Sequence, residues 1–266
     1  MSGSVFVKKI TEFSNTYHGP FVTKIYAFDE ISSTNAKLRS LAIQGADEGT
    51  VVIAQTQRKG RGRFDRVWQS PKGGVYLSLL LRPKAPLEKT SLLTYVAALA
   101  VTHTIRSFNL PACIKWPNDV LVHQKKIAGI LLESETRDAH VSYVIVGIGV
   151  NLNTNLAHLK ADVRTNATSV QQEHGFPIDY DEFLTTFLHQ FDHFYRLFSL
   201  GRSDQIIDAW KQQSDTLGKR IKIQTMNDMI QGTAVDVDES GFLLLKTAEG
   251  TTVRVTSGDC TVIDES

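Results

Sequence analysis

The chain has very few cysteines and no long apolar run. Its 266 residues include only Cys113 and Cys260, which lie far apart, with no CxxC pair and no Cys and His at metal-ligand spacing. This pattern suggests neither a disulfide framework nor a zinc site and favours a reducing compartment. The longest apolar runs, at 75–81 and 95–101, are far shorter than the roughly 20 residues that a membrane helix needs. Because the N-terminus also lacks an apolar signal-peptide segment, we expect a soluble, cytoplasmic protein.

A large excess of charge of one sign is lacking too. Lys and Arg number 29 and Asp and Glu 28, a formal net charge of +1 at pH 7, which argues against a dedicated nucleic-acid-binding protein. The two parts of the chain differ in net charge. Residues from 214 onward carry five basic and nine acidic side chains, a net charge of −4, which leaves a net charge of +5 for residues 1–213. In one loop, Asp65 is opposed by five basic residues: Arg58, Lys59, Arg61, Arg63 and Arg66.

Hydrophobic periodicity predicts an α/β fold with a mixed sheet and packed helices. Apolar content of 42% with 21% charged residues is typical of a folded globular chain. Strands are predicted at 24–28, 51–54, 75–81, 120–122, 126–133 and 143–150. Helices are predicted between the Ser/Thr cluster at 32–34 and Gly45, and at 90–108, 181–199 and 203–213. We expect the first 20 residues to pack as an extended arm.

The predicted secondary structure changes after Gly218, from helices to short strands. Short alternating strands are predicted at 220–224, 232–237, 242–246 and 251–256, with a turn at 238–241, as in a small barrel-like β domain. The predicted domains are therefore 1–213, with the arm at 1–20, and 214–266.

The basic loop is the first candidate for chemistry. Residues 60–68 read GRGRFDRVW, in which glycines let the backbone approach a ligand, arginines bind phosphate, and Trp68 can stack on a base. The pattern indicates a loop that recognises phosphate and a ring, while a solvated basic loop stays open as the alternative. A Walker A motif is absent, so phosphate binding would rest on arginine side chains.

A second candidate reads KWPND at 115–119. Asn118 and Asp119 offer oxygen ligands for Mg²⁺ while Lys115 can neutralise phosphate, although a simple Pro-Asn-Asp turn is an equally good interpretation. Lys126 begins a strand that contains Gly129, which suggests a ligand or another backbone lying against it. The stretch GIG at 147–149 lacks the third glycine of a dinucleotide-binding motif, so we reject a Rossmann fold.

Six motifs in this order resemble those of the biotin protein ligases. They are STN at 33–35, Gln57 followed by GRGRxxRxW, SPKGG at 70–74, KWPND at 115–119, KIAGILLE at 126–133 and GIGVN at 147–151. The resemblance implies a class II tRNA synthetase-like catalytic domain and a C-terminal SH3-like β-barrel. Many bacterial members carry an N-terminal DNA-binding domain that this sequence lacks, so it resembles the monofunctional type.

The family's reaction has two steps, formation of biotinyl-5′-AMP from biotin and ATP and transfer of biotin to a carrier-protein lysine. By resemblance, eight residues would bind biotin: Ser33, Thr34, Gln57, Gly60, Arg61, Arg63, Lys126 and Gly129. Of these, Ser33, Thr34 and Gln57 would hydrogen-bond the ureido ring. Buried polar partners of this kind reject ligands that lack the matching groups.

The resemblance also implies an ATP site made of Arg66, Trp68, Lys115, Asn118, Asp119 and Asn151. Trp68 would stack on adenine, and Asn118 and Asp119 would bind the Mg²⁺ that accompanies ATP. Because biotin's carboxylate is already a nucleophile at pH 7, catalysis would rest on cations, namely Lys126, Arg63 and Lys115.

The implied partners are biotin, ATP and a biotin carboxyl carrier protein domain of biotin-dependent carboxylases. We expect no membrane association and no specific DNA binding, and a homodimer stays open. Two other functions also stay open. A lipoate or octanoate ligase would share the fold, and a nucleic-acid-binding module would use the basic loop, against which the near-neutral charge argues.

Overall fold

A seven-stranded mixed sheet forms the centre of the larger domain. The structure, a computed structural model, describes residues 4–138, 140–225 and 228–263. The strands are β1 (Lys24–Ile31), β2 (Thr50–Gln57), β3 (Val75–Leu81), β4 (Cys113–Lys115), β5 (Asp119–Val122), β6 (Lys125–Arg137) and β7 (His140–Val150). Their order is β1-β2-β3-β7-β6-β5-β4; β1 and β2 run parallel, and the other neighbours antiparallel. The predicted mixed sheet is confirmed.

Helices cover both faces of this sheet. They are α1 (Val5–Thr16), α2 (Thr34–Ile43), α3 (Leu92–Ser107), α4 (Ala161–Arg164), α5 (Val170–His174), α6 (Tyr180–Ser199) and α7 (Ser203–Gln213). One face packs against α3, whose apolar side chains are nearly all buried, and α3 packs in turn against the phenylalanine stripe of α6. On the other face Leu38 and Ala42 of α2 pack against Val52 and Leu80. The alternation of side chains along the strands thus supplies two separate cores.

The expected extended arm at the N-terminus is wrong. Residues 5–16 form helix α1, with Ser4 accepting a hydrogen bond from the Val7 backbone nitrogen as N-cap. Ile10 and Phe13 are buried in the main core, with Phe6 packed against it. These three residues are spaced at intervals of four and three, which places them on one helical face. That spacing was the signal that the sequence interpretation missed.

A five-stranded antiparallel sheet forms the C-terminal domain. Its strands are β8 (Arg220–Gln224), β9 (Met229–Val237), β10 (Leu243–Lys246), β11 (Thr252–Val255) and β12 (Asp259–Val262), in the order β11-β10-β9-β8-β12. Strand β12 was not predicted from the sequence. The buried Tyr95 of α3 donates a hydrogen bond of 2.8 Å to the Gly241 carbonyl, which ties this sheet to the larger domain. The boundary at 213/214 stays a prediction.

Helices that could span a membrane were sought throughout the described ranges. None combines the length and apolar character that crossing a bilayer requires.

Candidate active site

The start of α2 places polar groups in a pocket floor. Ser33 has the extended backbone of an N-cap, and its hydroxyl accepts a hydrogen bond from the Ala36 backbone nitrogen. Ser33, Thr34 and Asn35 are each at most 4% exposed, yet all three line a cavity of about 230 Å³. The Ser/Thr cluster therefore begins the helix, as predicted, and also faces a space that a ligand can fill.

Thr34 and Gln57 are held together by direct hydrogen bonds. The Thr34 backbone nitrogen donates to Gln57 Oε1 at 2.9 Å, and Gln57 Nε2 donates to Ser70 Oγ at 3.0 Å. Ser78 Oγ lies behind them, 2.8 Å from Thr34 Oγ1. The sequence interpretation missed Ser78, although it is the one polar residue in the buried strand VYLSLLL. A buried polar side chain in an apolar strand is a detectable sign of such a network.

The basic loop is a small hairpin that folds over the cavity. Arg61 and Val67 form a β-bridge, the Gly62 nitrogen donates to the Arg66 carbonyl at 2.7 Å, and Phe64 and Asp65 turn the tip with positive φ angles. Gly60 sits where a Cβ atom would come within 2.3 Å of the Trp68 carbonyl oxygen. Its place in the structure is thus explained by hairpin packing.

Three arginines of this loop contact the rest of the protein. Arg61 Nη2 donates to Glu133 Oε2 at 2.7 Å, Arg63 Nη1 to Asn118 Oδ1 at 3.3 Å, and Arg66 Nη1 to Asp259 Oδ1 at 3.1 Å. Burial lowers the pKa of the Arg63 guanidinium, and the nearby charges of Asp259 and Asp119 oppose that shift. These contacts favour a recognition loop over a solvated one.

The side chain of Trp68 stands between two cavities. The first, of about 230 Å³, has Ser33, Thr34 and Gln57 in its wall, and the second, of about 470 Å³, has Lys115 and Asn151. Trp68, Asp119 and Lys126 line both cavities. The buried Trp68 Nε1 finds no hydrogen-bond partner within the described part of the chain. Its hydrogen-bonding capacity is therefore left unused within these residues.

Lys126 lies at the junction of the two cavities. Its Nζ is 2.5 Å from Asp119 Oδ1 and 5.4 Å from the centroid of the Trp68 ring. Its backbone is held on both sides, since its nitrogen donates to the Asn166 carbonyl and its carbonyl accepts from Thr168. The ammonium group is thus placed for anions entering from either side.

Asn118 is tied to the neighbouring strand. Its Nδ2 donates to the Ile130 carbonyl at 2.6 Å, the Ile130 nitrogen donates back to its carbonyl, and its Oδ1 accepts from Arg63. Asp119 keeps a partly exposed carboxylate at the edge of both cavities. Within the described ranges, no three His, Cys, Asp or Glu side chains converge to hold a metal.

Asn151 is more deeply placed than expected for a nucleotide ligand. It is 4% exposed, and its Nδ2 donates to the Thr168 carbonyl at 3.0 Å while its nitrogen donates to Ile127. Asn151 therefore fixes the wall of the second cavity, and Lys115 is the predicted cation of that cavity.

The two cavities bring most of the predicted residues together. Their walls contain Ser33, Thr34, Gln57, Arg61, Arg63, Arg66, Trp68, Lys115, Asn118, Asp119, Lys126, Gly129 and Asn151. The interpretation missed Asn35, Ser78, Glu133 and Asp259. Glu133 ends the KIAGILLE motif and could have been found there, whereas Asp259 meets Arg66 across 193 residues of sequence, for which no local signal exists.

Both cysteines are free thiols. Burial raises the pKa of Cys113, and it raises the pKa of Cys260 to about 11. The thiolate is the reactive form of cysteine. These environments are therefore typical of structural thiols.

Comparison with known proteins agrees with the geometry. The Biotin/lipoate A/B protein ligase family matches residues 27–151, and the Biotin protein ligase C terminal domain matches 216–262. The chain is 39% identical over 224 residues to the bifunctional ligase/repressor BirA of Bacillus spizizenii, covering 84% of this chain and 69% of that protein. It is 36% identical over 222 residues to the biotin–acetyl-CoA-carboxylase ligase of Paracoccus denitrificans, covering 82% and 92%.

The fold is also similar to a solved structure. The biotin protein ligase from Aquifex aeolicus in complex with biotin and ATP has a TM-score of 0.79 and 29% identity, covering 91% of this chain and all of that one. The predicted fold class, a synthetase-like mixed sheet with a small SH3-like β domain, is confirmed. The chain belongs to the biotin protein ligase family.

Proposed function

We propose that the protein is an ATP-dependent ligase that forms biotinyl-5′-AMP and then transfers the biotin to a lysine of a biotin carboxyl carrier protein domain. The observation that carries the proposal is the pair of cavities on either side of Trp68, with Lys126 at their junction. A carboxylate held in the first cavity and a phosphate held in the second would meet beside this lysine. The relatives' names supply the identity of the two substrates.

The first step is nucleophilic attack by the biotin carboxylate on the α-phosphorus of ATP, with pyrophosphate as leaving group. An ionised carboxylate needs no base, so the protein contributes alignment and neutralisation of charge. Lys126 contacts the reacting carboxylate and the α-phosphate in this proposal. Arg63, Arg66 and Lys115 neutralise the remaining phosphates, which removes the repulsion between two anions.

The first cavity selects the cyclic urea of biotin. Thr34 and Gln57 supply polar partners in a buried wall, while Ile130, Leu131 and Ile148 supply apolar contacts for the rest of the ring system. A lipoate ring would leave these buried polar groups unpaired, which costs binding free energy. The polar wall therefore favours biotin over the lipoate or octanoate alternative.

Mg²⁺ is part of the proposal as the companion of ATP. Asp119 fits this ion, because Mg²⁺ is commonly held by one or two carboxylates together with substrate phosphates and water. Asn118 Oδ1 is the other predicted ligand and at present faces Arg63. The bound ion would neutralise phosphate charge during the first step.

In the second step a lysine amine of the carrier domain attacks the acyl carbon and displaces AMP. The hairpin at 60–68 keeps the adenylate covered until the carrier lysine arrives. A cytoplasmic location, the monofunctional character and a homodimer stay predictions.

Biotin-dependent exchange of labelled pyrophosphate into ATP tests the first step. We expect exchange with biotin and at most a trace with lipoate or without an acid. Folded protein that shows no biotin-dependent exchange would contradict the proposal, and exchange driven by lipoate would favour the alternative. Transfer is tested by adding a purified carrier domain and detecting its mass increase.

A further inference from the structure

A line of buried hydrogen bonds runs behind the first cavity from Glu133 to Thr34. Glu133 Oε2 is 2.7 Å from Asn35 Nδ2, and Asn35 Oδ1 is 2.6 Å from Ser78 Oγ. Ser78 Oγ is in turn 2.8 Å from Thr34 Oγ1. Ser78 is fully buried and Thr34 is 3% exposed. Ser78 is therefore screened from water, and its hydroxyl must bond to Asn35 and Thr34.

The carboxylate of Glu133 fixes which atom donates and which accepts in each of these hydrogen bonds. An ionised carboxylate only accepts hydrogen bonds, so the amide nitrogen of Asn35 must face it and the amide oxygen must face Ser78. Without such a partner either end of the Asn35 amide can face Ser78, because a hydroxyl both donates and accepts. Arg61 Nη2 at 2.7 Å and Arg39 Nη2 at 3.6 Å face the same carboxylate and neutralise its charge.

The orientation of the Asn35 amide in turn fixes the hydroxyl orientations of Ser78 and Thr34. Because Asn35 Oδ1 has no hydrogen, Ser78 must give it the single hydrogen of its hydroxyl. The hydroxyl hydrogen of Thr34 must then point to Ser78 Oγ at 2.8 Å, since Ser78 has no second hydrogen to give, while Gln57 Oε1 is farther away at 3.2 Å and already accepts from the Thr34 backbone nitrogen. Thr34 therefore has a lone pair, and no hydrogen, left for a ligand in the cavity.

Gln57 supplies the opposite polarity beside Thr34. Its Oε1 already accepts from Thr34, and its Nε2 gives one hydrogen to Ser70 and keeps a second. The wall therefore offers one acceptor, on Thr34, and one donor, on Gln57. A cyclic urea presents the matching N–H donor and C=O acceptor side by side.

We propose that Glu133 is a positioning residue that, through Asn35 and Ser78, obliges Thr34 to act as a hydrogen-bond acceptor toward the ureido N–H of the substrate. The inference rests on the proposed function, because it assigns a reason for selectivity to that same cavity. Glu133 is held on β6, and its side chain is 16% exposed. Its effect on the substrate is exerted through the two neighbouring side chains.

The test compares biotin with the two cyclic carbamate analogues in which one ureido N–H is replaced by oxygen. We expect the wild-type protein to prefer biotin strongly over at least one of them, since two acceptors would face each other. In Glu133→Ala the Asn35 amide is free to reverse and Thr34 can donate, so the ratio of kcat/KM values should fall about tenfold or more. A ratio measured on one preparation does not depend on its folded fraction.

Three further variants separate this role from a general structural one. Glu133→Gln keeps an oxygen that can accept from both Asn35 and Arg61, and it should stay within about threefold of the wild-type ratio. Ser78→Ala interrupts the line and should lower the ratio as Glu133→Ala does. Glu135→Ala removes an exposed carboxylate two residues along the same strand and should leave the ratio unchanged.

Each outcome decides the matter. A wild-type ratio in Glu133→Ala or in Ser78→Ala overturns the inference, and so does a Glu133→Gln variant as unselective as Glu133→Ala. If the wild-type protein exchanges pyrophosphate with biotin while these variants keep its ratio, only the role of Glu133 fails. If the wild-type protein shows no biotin-dependent exchange, the proposed function itself fails.

Discussion

The indole ring of Trp68 lies on the backbone of Gly149, so closely that a Cβ atom at 149 would come within 2.5 Å of ring atoms Cε2 and Nε1. Gly129 is paired with Gly149 across β6 and β7, and a Cβ atom there would be 3.0 Å from Cζ3 of the same ring. Two paired glycines therefore form a bare area of sheet that accepts the ring. This arrangement sets the boundary between the two cavities.

Gly149→Ala should displace Trp68. Overpacking of this kind costs about 1–3 kcal/mol, and because the methyl group meets the ring that we place against adenine, the KM for ATP should rise about tenfold. The KM for biotin should change less. Pyrophosphate exchange at varied ATP, together with tryptophan fluorescence, measures the effect. Gly129→Ala should be milder because its contact is longer, and an unchanged KM for ATP in Gly149→Ala would contradict the stacking role.

Lys126→Ala should slow adenylate formation far more than it lowers stability. The Lys126 ion pair with Asp119 is partly exposed, so its loss should cost at most about 1 kcal/mol of unfolding free energy. Loss of a cation at the reacting atoms should lower kcat for exchange by about 10² or more. Exchange kinetics and thermal melts of the same samples test this.

Lys125→Ala is the matched control for this variant. Lys125 is the exposed neighbour on β6, so its removal should change neither property. A rate loss in Lys126→Ala that only parallels its loss of stability would count against a role in the reaction.

Arg63→Gly should release the adenylate into solution. The Arg63 guanidinium bonds to Asn118 Oδ1 and to the Gly258 carbonyl at 3.1 Å, so it fastens the hairpin to both domains. Without it, biotinyl-AMP should escape and acylate bystander lysines several-fold faster than with the wild type. Free adenylate and labelling of an added unrelated protein are the measurements. Arg58→Gly removes an exposed arginine just before the hairpin and should behave as the wild type.

Cys260 should be inert toward thiol reagents in the folded protein. Burial raises its pKa to about 11, above the roughly 8.5 of an unfolded chain. Between these two pH values the Cys260 thiol is protonated in the native state and ionised in the unfolded state. The contribution of Cys260 to stability is therefore complete below about pH 8.5 and is lost as the pH rises toward 11. The reactivity of Cys260 is measured by labelling with a thiol reagent at pH 8, with and without denaturant. Rapid labelling of Cys260 in the native protein would contradict it.

Local patterns predicted the elements that carry their own signals. The Ser33 N-cap, the apolar β3 and the phenylalanine stripe of α6 each have a period or a capping residue that is visible in the sequence. Helix α1 was missed because only three of its residues face the core and the others are mixed. Strand β12 was missed because it is short and its residues, DCTV, do not read as a strand without a partner.

The candidate site divides along the same line. Residues inside a motif, including Lys126, Trp68 and Asp119, were predicted and line the cavities. Pairings between distant segments were not found, because Arg66 with Asp259 and Arg61 with Glu133 depend on sheet order and domain docking. Sequence spacing does not encode those contacts.

Three of the cations around the cavities already have carboxylate partners before any substrate arrives. Lys126 is paired with Asp119, Arg66 with Asp259 and Arg61 with Glu133. A phosphate that binds Lys126 or Arg66 therefore replaces a carboxylate of the protein as the partner of that cation. It does not bind to a cation that lacks a partner. Added salt screens the existing pair as well as the new one, so nucleotide affinity should vary less with ionic strength than the number of basic side chains suggests.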